Sequence, residues 1–210
     1  MTSGATPLGL GVLASGRGSN LQAILEACAR PGFPARVVVV VADRERAPAL
    51  EHARQHRVPA IWLNPKDFGD RAAYDEALRR LLDEHRIGLV CLAGFMRILT
   101  PGLVRAYAGR IVNVHPSLLP AFPGLAAQRQ ALEHGVLITG ATVHLVNEDL
   151  DAGPIVLQAA VPVLDDDTVE TLSARILAEE HRLYPEAIRL LLGGGWAIRG
   201  RRFVRARVTS

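Results

Sequence analysis

The sequence predicts an α/β protein on an open, Rossmann-like sheet, parallel in its N-terminal half, with mixed or antiparallel C-terminal strands and helices on both faces. Three observations carry this. Short apolar runs alternate with longer stretches of helical period through the first half, the pattern of parallel βαβ units with right-handed crossovers. In the second half, two strand-like stretches at 139–146 and 155–163 are separated only by a polar loop, short enough for an antiparallel pair. Polar or glycine-rich segments fall at the expected carboxyl ends of strands, where open α/β sheets bind ligands.

Taken in order, 8–14 reads as a buried strand, and 20–29 as a helix with Leu21, Ile24, Leu25 and Cys28 on one face. A strand at 37–42, a helix at 47–56 and a short strand at 60–63 follow. The stretch 68–85 is a helix with Tyr74, Leu78, Leu81 and Leu82 spaced for burial, and 87–93 is the fourth strand. Then come a short helix at 101–108, a strand at 111–114, a helix at 128–133 and the two antiparallel strands. Asp167-Thr168-Val169-Glu170 has capping-box spacing with Asp167 at the cap, opening a helix to about 192 that Pro185 should kink or interrupt. Gly193-Gly194-Gly195 ends it, and a basic tail follows. With no repeat, low-complexity linker or composition break, one domain over 1–210 is expected, with halves at 1–110 and 111–195 and the tail at 196–210.

A chain of 210 residues, 49% hydrophobic and 21% charged, can bury a large core. That composition excludes a disordered chain, a collagen-like repeat and a disulfide mini-scaffold. Two cysteines, Cys28 and Cys91, make neither a disulfide framework nor a four-cysteine zinc site, and a reducing, cytoplasmic compartment fits. The longest apolar runs fall far short of the roughly 20 residues a membrane helix requires, and the start lacks the pattern of a signal peptide. The sequence pI of about 9.3 raises the question of nucleic acid. Lys66 is the only lysine, and Arg199, Arg201, Arg202, Arg205 and Arg207 crowd the end; removing those five from 24 basic residues leaves 19 against 21 acidic. The body is near neutral, and no basic groove is evident.

Ser15-Gly16-Arg17-Gly18-Ser19-Asn20 joins a strand to a helix. The amides of Gly18, Ser19 and Asn20 at a helix start can cradle a phosphate. The loop lacks the Gly-Lys-Ser/Thr of a Walker A motif and the full dinucleotide pattern, so a single phosphate suits it. It also reads as a plain turn with Ser19 or Asn20 as an ordinary cap.

Asn113 and His115, two residues apart at a strand end, and the acidic loop Asn147-Glu148-Asp149-Leu150-Asp151 form a second constellation. Acyl transfer needs a donor for a developing oxyanion and a group that moves a proton near neutral pH. A carboxylate beside the histidine favours its charged form; Asp151 is the natural candidate, with Glu148 and Asp149 competing. A turn histidine before Pro-Ser is the plainer reading of His115, and His144 reads as a packed or hydrogen-bonded strand residue. No paired metal-ligand spacing appears, and no Gly-x-Ser-x-Gly elbow.

Four segments carry a resemblance. Leu13-Ala14-Ser15-Gly16-Arg17-Gly18-Ser19-Asn20, Leu92-Ala93-Gly94-Phe95-Met96-Arg97-Ile98-Leu99, Asn113-Val114-His115-Pro116-Ser117-Leu118-Leu119-Pro120 and Leu150-Asp151-Ala152-Gly153-Pro154-Ile155 resemble, in the same order, the phosphoribosylglycinamide formyltransferases of the folate-dependent formyltransferase superfamily. The resemblance spans about 8–195 and implies the formyltransferase fold. It also implies formyl transfer from 10-formyltetrahydrofolate, a cosubstrate, to the glycinamide amine, in purine synthesis and without a metal. By matching positions, Asn113, His115 and Asp151 are the catalytic trio, stabilising a tetrahedral oxyanion and moving protons. Gly18, Ser19 and Asn20 would hold the ribose phosphate, and Glu180 would contact the glycinamide. Arg71, Met96, Arg97, Ile98 and Leu99 would line the folate site, with Asn113 and the backbone of Asn147, Glu148, Asp149, Leu150 and Asp151 around the pterin. Small-molecule partners are expected, with no nucleic acid or membrane, and with room for a homodimer.

Ala126 and Gln128 stand where some members of that family would carry histidines, and the arginine tail lies past the matching region. Methionyl-tRNA formyltransferases share the trio but are expected to add an RNA-binding domain and to lack the Gly-Arg-Gly-Ser-Asn loop. A formyltetrahydrofolate hydrolase would add an N-terminal regulatory domain. A non-catalytic sugar-phosphate or folate binder would not need the intact trio, and an RNA-binding tail competes with a solvated or strand-forming terminus.

Overall fold

The computed structural model describes residues 6–205. The chain divides into two units, Met1–Ile111 and Val112–Ser210. In the first, β1 (Leu8–Ala14), β2 (Ala35–Ala42), β3 (Ala60–Trp62) and β4 (Leu89–Leu92) lie in the order β3-β2-β1-β4. Their pairings are parallel. The apolar runs of β1, β2 and β4 end in continuously buried residues, as strands covered on both faces require. The chain winds outward from β1 to β3 and returns to the other side of β1 at β4. This reversal places the carboxyl ends of β1 and β4 side by side, a topological switch point.

Three helices join these strands: α1 (Ser19–Cys28), α2 (Pro48–Gln55) and α3 (Arg71–Glu84). A fourth, α4 (Pro101–Ala106), follows β4. The apolar stripe of α3 buries Tyr74, Leu78 and Leu82 completely, whereas Leu81 is half-buried. The helix starts later than its periodicity predicts. Pro65–Asp67 turn as a 3-10 helix, and Asp70 takes the cap, its carboxylate accepting from the Ala73 amide at 2.8 Å.

The second unit contains β5 (Ile111–His115), α5 (Ala127–Glu133), β6 (Ile138–Leu145) and β7 (Ile155–Pro162). It continues with α6 (Val169–Gly193), β8 (Trp196–Arg199) and β9 (Arg202–Arg205), and its strands run in the order β5-β6-β7-β9-β8. β6 pairs antiparallel with both β5 and β7, as the short loop between the two predicted strands requires.

Two helix expectations change. The cap of α6 is Thr168, not Asp167: Thr168 and Thr171 exchange reciprocal side-chain bonds to each other's amides, at 2.9 and 3.3 Å. Asp167 instead accepts from the Leu164 amide, the Thr171 hydroxyl and the Arg175 guanidinium, and Arg175 above all holds its carboxyl well below the usual range. Pro185 does not interrupt α6, which runs unbroken over 25 residues. Its neighbours Tyr184, Ala187 and Ile188 are fully buried, and the Tyr184 hydroxyl donates to the Val112 carbonyl at 2.9 Å. Packing of that face outweighs the one backbone bond that proline removes.

The described part of the basic tail, up to Arg205, is folded. β8 and β9 form an antiparallel hairpin in which the Trp196 and Phe203 rings stack with centroids 5.2 Å apart. The Trp196 indole donates to the Leu191 carbonyl at the end of α6, and Ile155 of β7 pairs with Arg202. Arg207 lies outside the described residues. Among the described residues, no helix is long and apolar enough to cross a membrane.

Candidate active site

The glycine-rich loop leaves β1 at the switch point. Gly18 occupies the cap position of α1 with φ +79°, and no side chain caps the helix. Ser19 and Asn20 are therefore the first helical residues, not caps, and their amides stand at the positive end of the helix dipole. Only glycine fits at 18. A Cβ there would meet the Ala49 Cα at 2.7 Å, in a backbone conformation that other residues rarely adopt. Ser15 ties this loop to the segment after β4, donating its amide to the Gly94 carbonyl at 3.0 Å and accepting from the Met96 amide on Oγ at 2.9 Å.

That segment divides by exposure. Met96 and Ile98 are each 58% exposed, whereas the Leu99 side chain belongs to the core. The Arg97 guanidinium lies over the Tyr74 ring, 4.5 Å from its centroid, as cations favour aromatic faces. Burial, followed by the nearby charge of Asp43, pushes the Tyr74 hydroxyl up from its ordinary value. Arg71 is exposed at the first turn of α3.

The second unit gathers the side chains suited to proton transfer. The pairing of β5 with β6 sets Asn113 opposite His144 and His115 opposite Thr142. Asp151 enters from the loop between β6 and β7 with φ +49°. Its Oδ2 lies 3.4 Å from His115 Nδ1 and accepts from the Gly124 amide at 2.8 Å, while its Oδ1 lies 3.7 Å from His144 Nε2. His115 is 5% exposed, and its Nε2 meets the Phe122 carbonyl at 2.8 Å. Both ring nitrogens thus face oxygen acceptors, an arrangement satisfied by a ring carrying a proton on each.

His144 differs. It is 2% exposed, and burial, the largest influence, lowers its pKa from 6.5. Its Nδ1 meets the Leu145 carbonyl at 3.0 Å, so that nitrogen carries the proton and Nε2 is left to accept from Asn113 Nδ2 at 3.2 Å. One proton of the Asn113 amide is thereby used, and the second remains available to a ligand. The strand pattern identified His144 as a hydrogen-bonded residue without pointing to its partner.

The remaining predicted residues have definite settings. Glu148, Asp149 and Leu150 are exposed, whereas Asp151 lies beside both His115 and His144. Asn147 is half-buried, and its Oδ1 is buried without a hydrogen-bond partner. Glu180 is a buried carboxylate on α6. Gly153 lets the loop close, since a Cβ there would fall 1.8 Å from the Leu145 carbonyl oxygen. The Phe122 carbonyl and the Gly124 amide are partners that the sequence reading missed, because backbone groups leave no residue signature. Among the described residues, no group of three or more His, Cys, Asp or Glu side chains could hold a metal ion.

Comparison with known proteins gives the chain a family. Residues 10–188 match the formyl transferase family. The chain is 42% identical over 182 residues to the phosphoribosylglycinamide formyltransferase of Bacillus subtilis (strain 168), covering 87% of this chain and 93% of that one. It is 46% identical over 183 residues to the trifunctional purine biosynthetic protein adenosine-3 of Bos taurus; the match covers 87% of this chain but only 18% of that longer protein. The crystal structure of glycinamide ribonucleotide transformylase 1 from Symbiobacterium toebii superimposes with a TM-score of 0.96 at 53% identity, over 99% of this chain and 98% of that one.

Proposed function

The chain belongs to the formyl transferase family, and from that premise we propose that it transfers the formyl group of 10-formyltetrahydrofolate to the amine of 5′-phosphoribosylglycinamide. The products are formylglycinamide ribonucleotide and tetrahydrofolate, in de novo purine synthesis. The observation that carries the reading is the buried cluster in which Asp151 lies 3.4 Å from His115 and Asn113 donates to His144 at 3.2 Å. A binding protein has no need of that combination.

10-Formyltetrahydrofolate supplies an activated formyl carbonyl. Two features suit such a donor: the orphaned, buried Asn147 Oδ1, ready for a heterocyclic N–H, and the exposed apolar side chains of Met96, Ile98, Leu125 and Leu150. Arg71 and Arg97 answer its carboxylates, and the backbones of Leu99 and of 147–151 contact its rings. Gly18, Ser19 and Asn20 hold the substrate phosphate by their amides, and Glu180 binds the glycinamide.

The substrate amine attacks the formyl carbon as a neutral nucleophile, forming the new C–N bond and a tetrahedral oxyanion, which then collapses with cleavage of the bond to the folate nitrogen. Asn113 donates its second amide proton to the formyl oxygen as that oxygen gains charge. His115 adds the Nδ1 proton that Asp151 holds only loosely. Asp151 orients the ring and balances its charge. The proton lost by the amine passes to the departing nitrogen through His115, Asp151 and water. No covalent bond to the protein forms.

The protein so read is cytoplasmic and works on two small molecules without nucleic acid; a homodimer is compatible with this reading. The test offers purified protein, formyl donor and 5′-phosphoribosylglycinamide, with methionyl-tRNA as competing acceptor. Formylation of the ribonucleotide is expected, and transfer to the tRNA alone overturns the reading.

A further inference from the structure

We infer that Gln130 is a positioning residue for the transfer chemistry, acting through the backbone of residues 122–126; this rests on the function proposed above. That segment runs against local preference. Phe122, Gly124 and Ala126 have φ values of +54°, +80° and +57°, and a left-handed conformation costs a residue with a side chain. The same segment supplies both backbone groups that frame the reacting pair. The Phe122 carbonyl accepts from His115 Nε2 at 2.8 Å, and the Gly124 amide donates to Asp151 Oδ2 at 2.8 Å.

The strained run needs an external hold, and α5 provides it. Gln130 Nε2 donates to the Leu125 carbonyl at 2.9 Å and reaches the Pro123 carbonyl at 3.5 Å. The Pro123 carbonyl shares its peptide unit with the Gly124 amide that contacts Asp151, and the Leu125 carbonyl lies two units further on, so a single side-chain amide holds the very peptide on which Asp151 rests. One turn later, the His134 ring packs on Phe122 with centroids 5.3 Å apart. Gln130 thus acts at one remove: it fixes the groups that fix His115 and Asp151.

The role requires a side chain that donates from the full length of glutamine. Leucine has no donor, and a glutamate carboxylate would face two carbonyl oxygens with none. In both Gln130→Leu and Gln130→Glu, kcat should fall on the order of tenfold, the scale expected when a catalytic group is slightly misplaced. KM for the phosphoribosyl substrate and the melting temperature should hold. In 15N-histidine-labelled protein, the His115 ring resonances should move in Gln130→Leu while those of His52 and His56 stay. Unchanged His115 resonances together with unchanged kcat overturn the inference, as does a fall in kcat accompanied by a rise in KM and a lower melting temperature. If the wild-type protein transfers no formyl group, the function reading falls, and the histidine resonances still judge Gln130.

Discussion

In the proposed reaction, the first unit meets the substrate phosphate with backbone amides, and the second meets the reacting formyl group with side chains. At the start of α1 the key residue is a glycine with φ +79°, and no side chain caps the helix, so backbone amides alone stand at its positive end. In the second unit, Asn113, His115, His144 and Asp151 meet within one buried network, each depending on a partner brought from another segment. A backbone site is sensitive at the one position where a side chain cannot fit. A side-chain site is sensitive at every member and at the groups behind each member.

The largest test of that contrast is His115→Ala. It should lower kcat by about 10²–10³-fold, the usual loss when one donor to a developing oxyanion is removed, with KM for the phosphoribosyl substrate within about twofold of wild type. Steady-state kinetics decide it, and a rise in KM with kcat preserved would erase the division of labour. Gly18→Ala should do the reverse. The new Cβ would press on Ala49 in a disfavoured conformation, costing about 1–3 kcal/mol of stability and raising KM with little change in kcat; thermal melts and KM read the two effects.

The smallest effect is a pH dependence confined to the second unit. Burial lowers the pKa of His144 from 6.5 in the folded state, so below pH 6.5 the unfolded chain binds a proton that the folded chain does not. Stability should therefore fall on acidification, from the unfolded value down to the folded one, by at most about 1.4 kcal/mol per pH unit. Denaturant melts across that range should show a flatter slope for His144→Gln, and an equal slope would exclude His144 as the source.

Much of this was readable from residue order. The strand and helix succession follows from apolar periodicity, and the glycine loop and the Asn113-Val114-His115 motif fall where a switch point and a strand end put them. What escaped reading depends on contacts that sequence does not encode locally. Asp167 looked like a cap because it has the right spacing, yet Arg175 claims its carboxylate and Thr168 takes the position. Pro185 looked like a kink or a break because its intrinsic cost is high, yet α6 is not interrupted and its buried face holds. The choice among Glu148, Asp149 and Asp151 depends on a loop closure that Gly153 permits. Gln130 carries no motif, since its partners are carbonyls.

The C-terminal hairpin gives the molecule a guarded border. β8 is the last strand in its order, and an open strand edge can template the addition of another chain. Arg199 faces Arg202 across the hairpin, with Arg201 in the turn and Arg205 opposite Trp196. Of the four residues on that border strand one, Arg199, is charged, and its cross-strand neighbour Arg202 adds a second positive charge beside it. Two like charges at the end of so short an edge weaken it as a template for a second copy of the same strand.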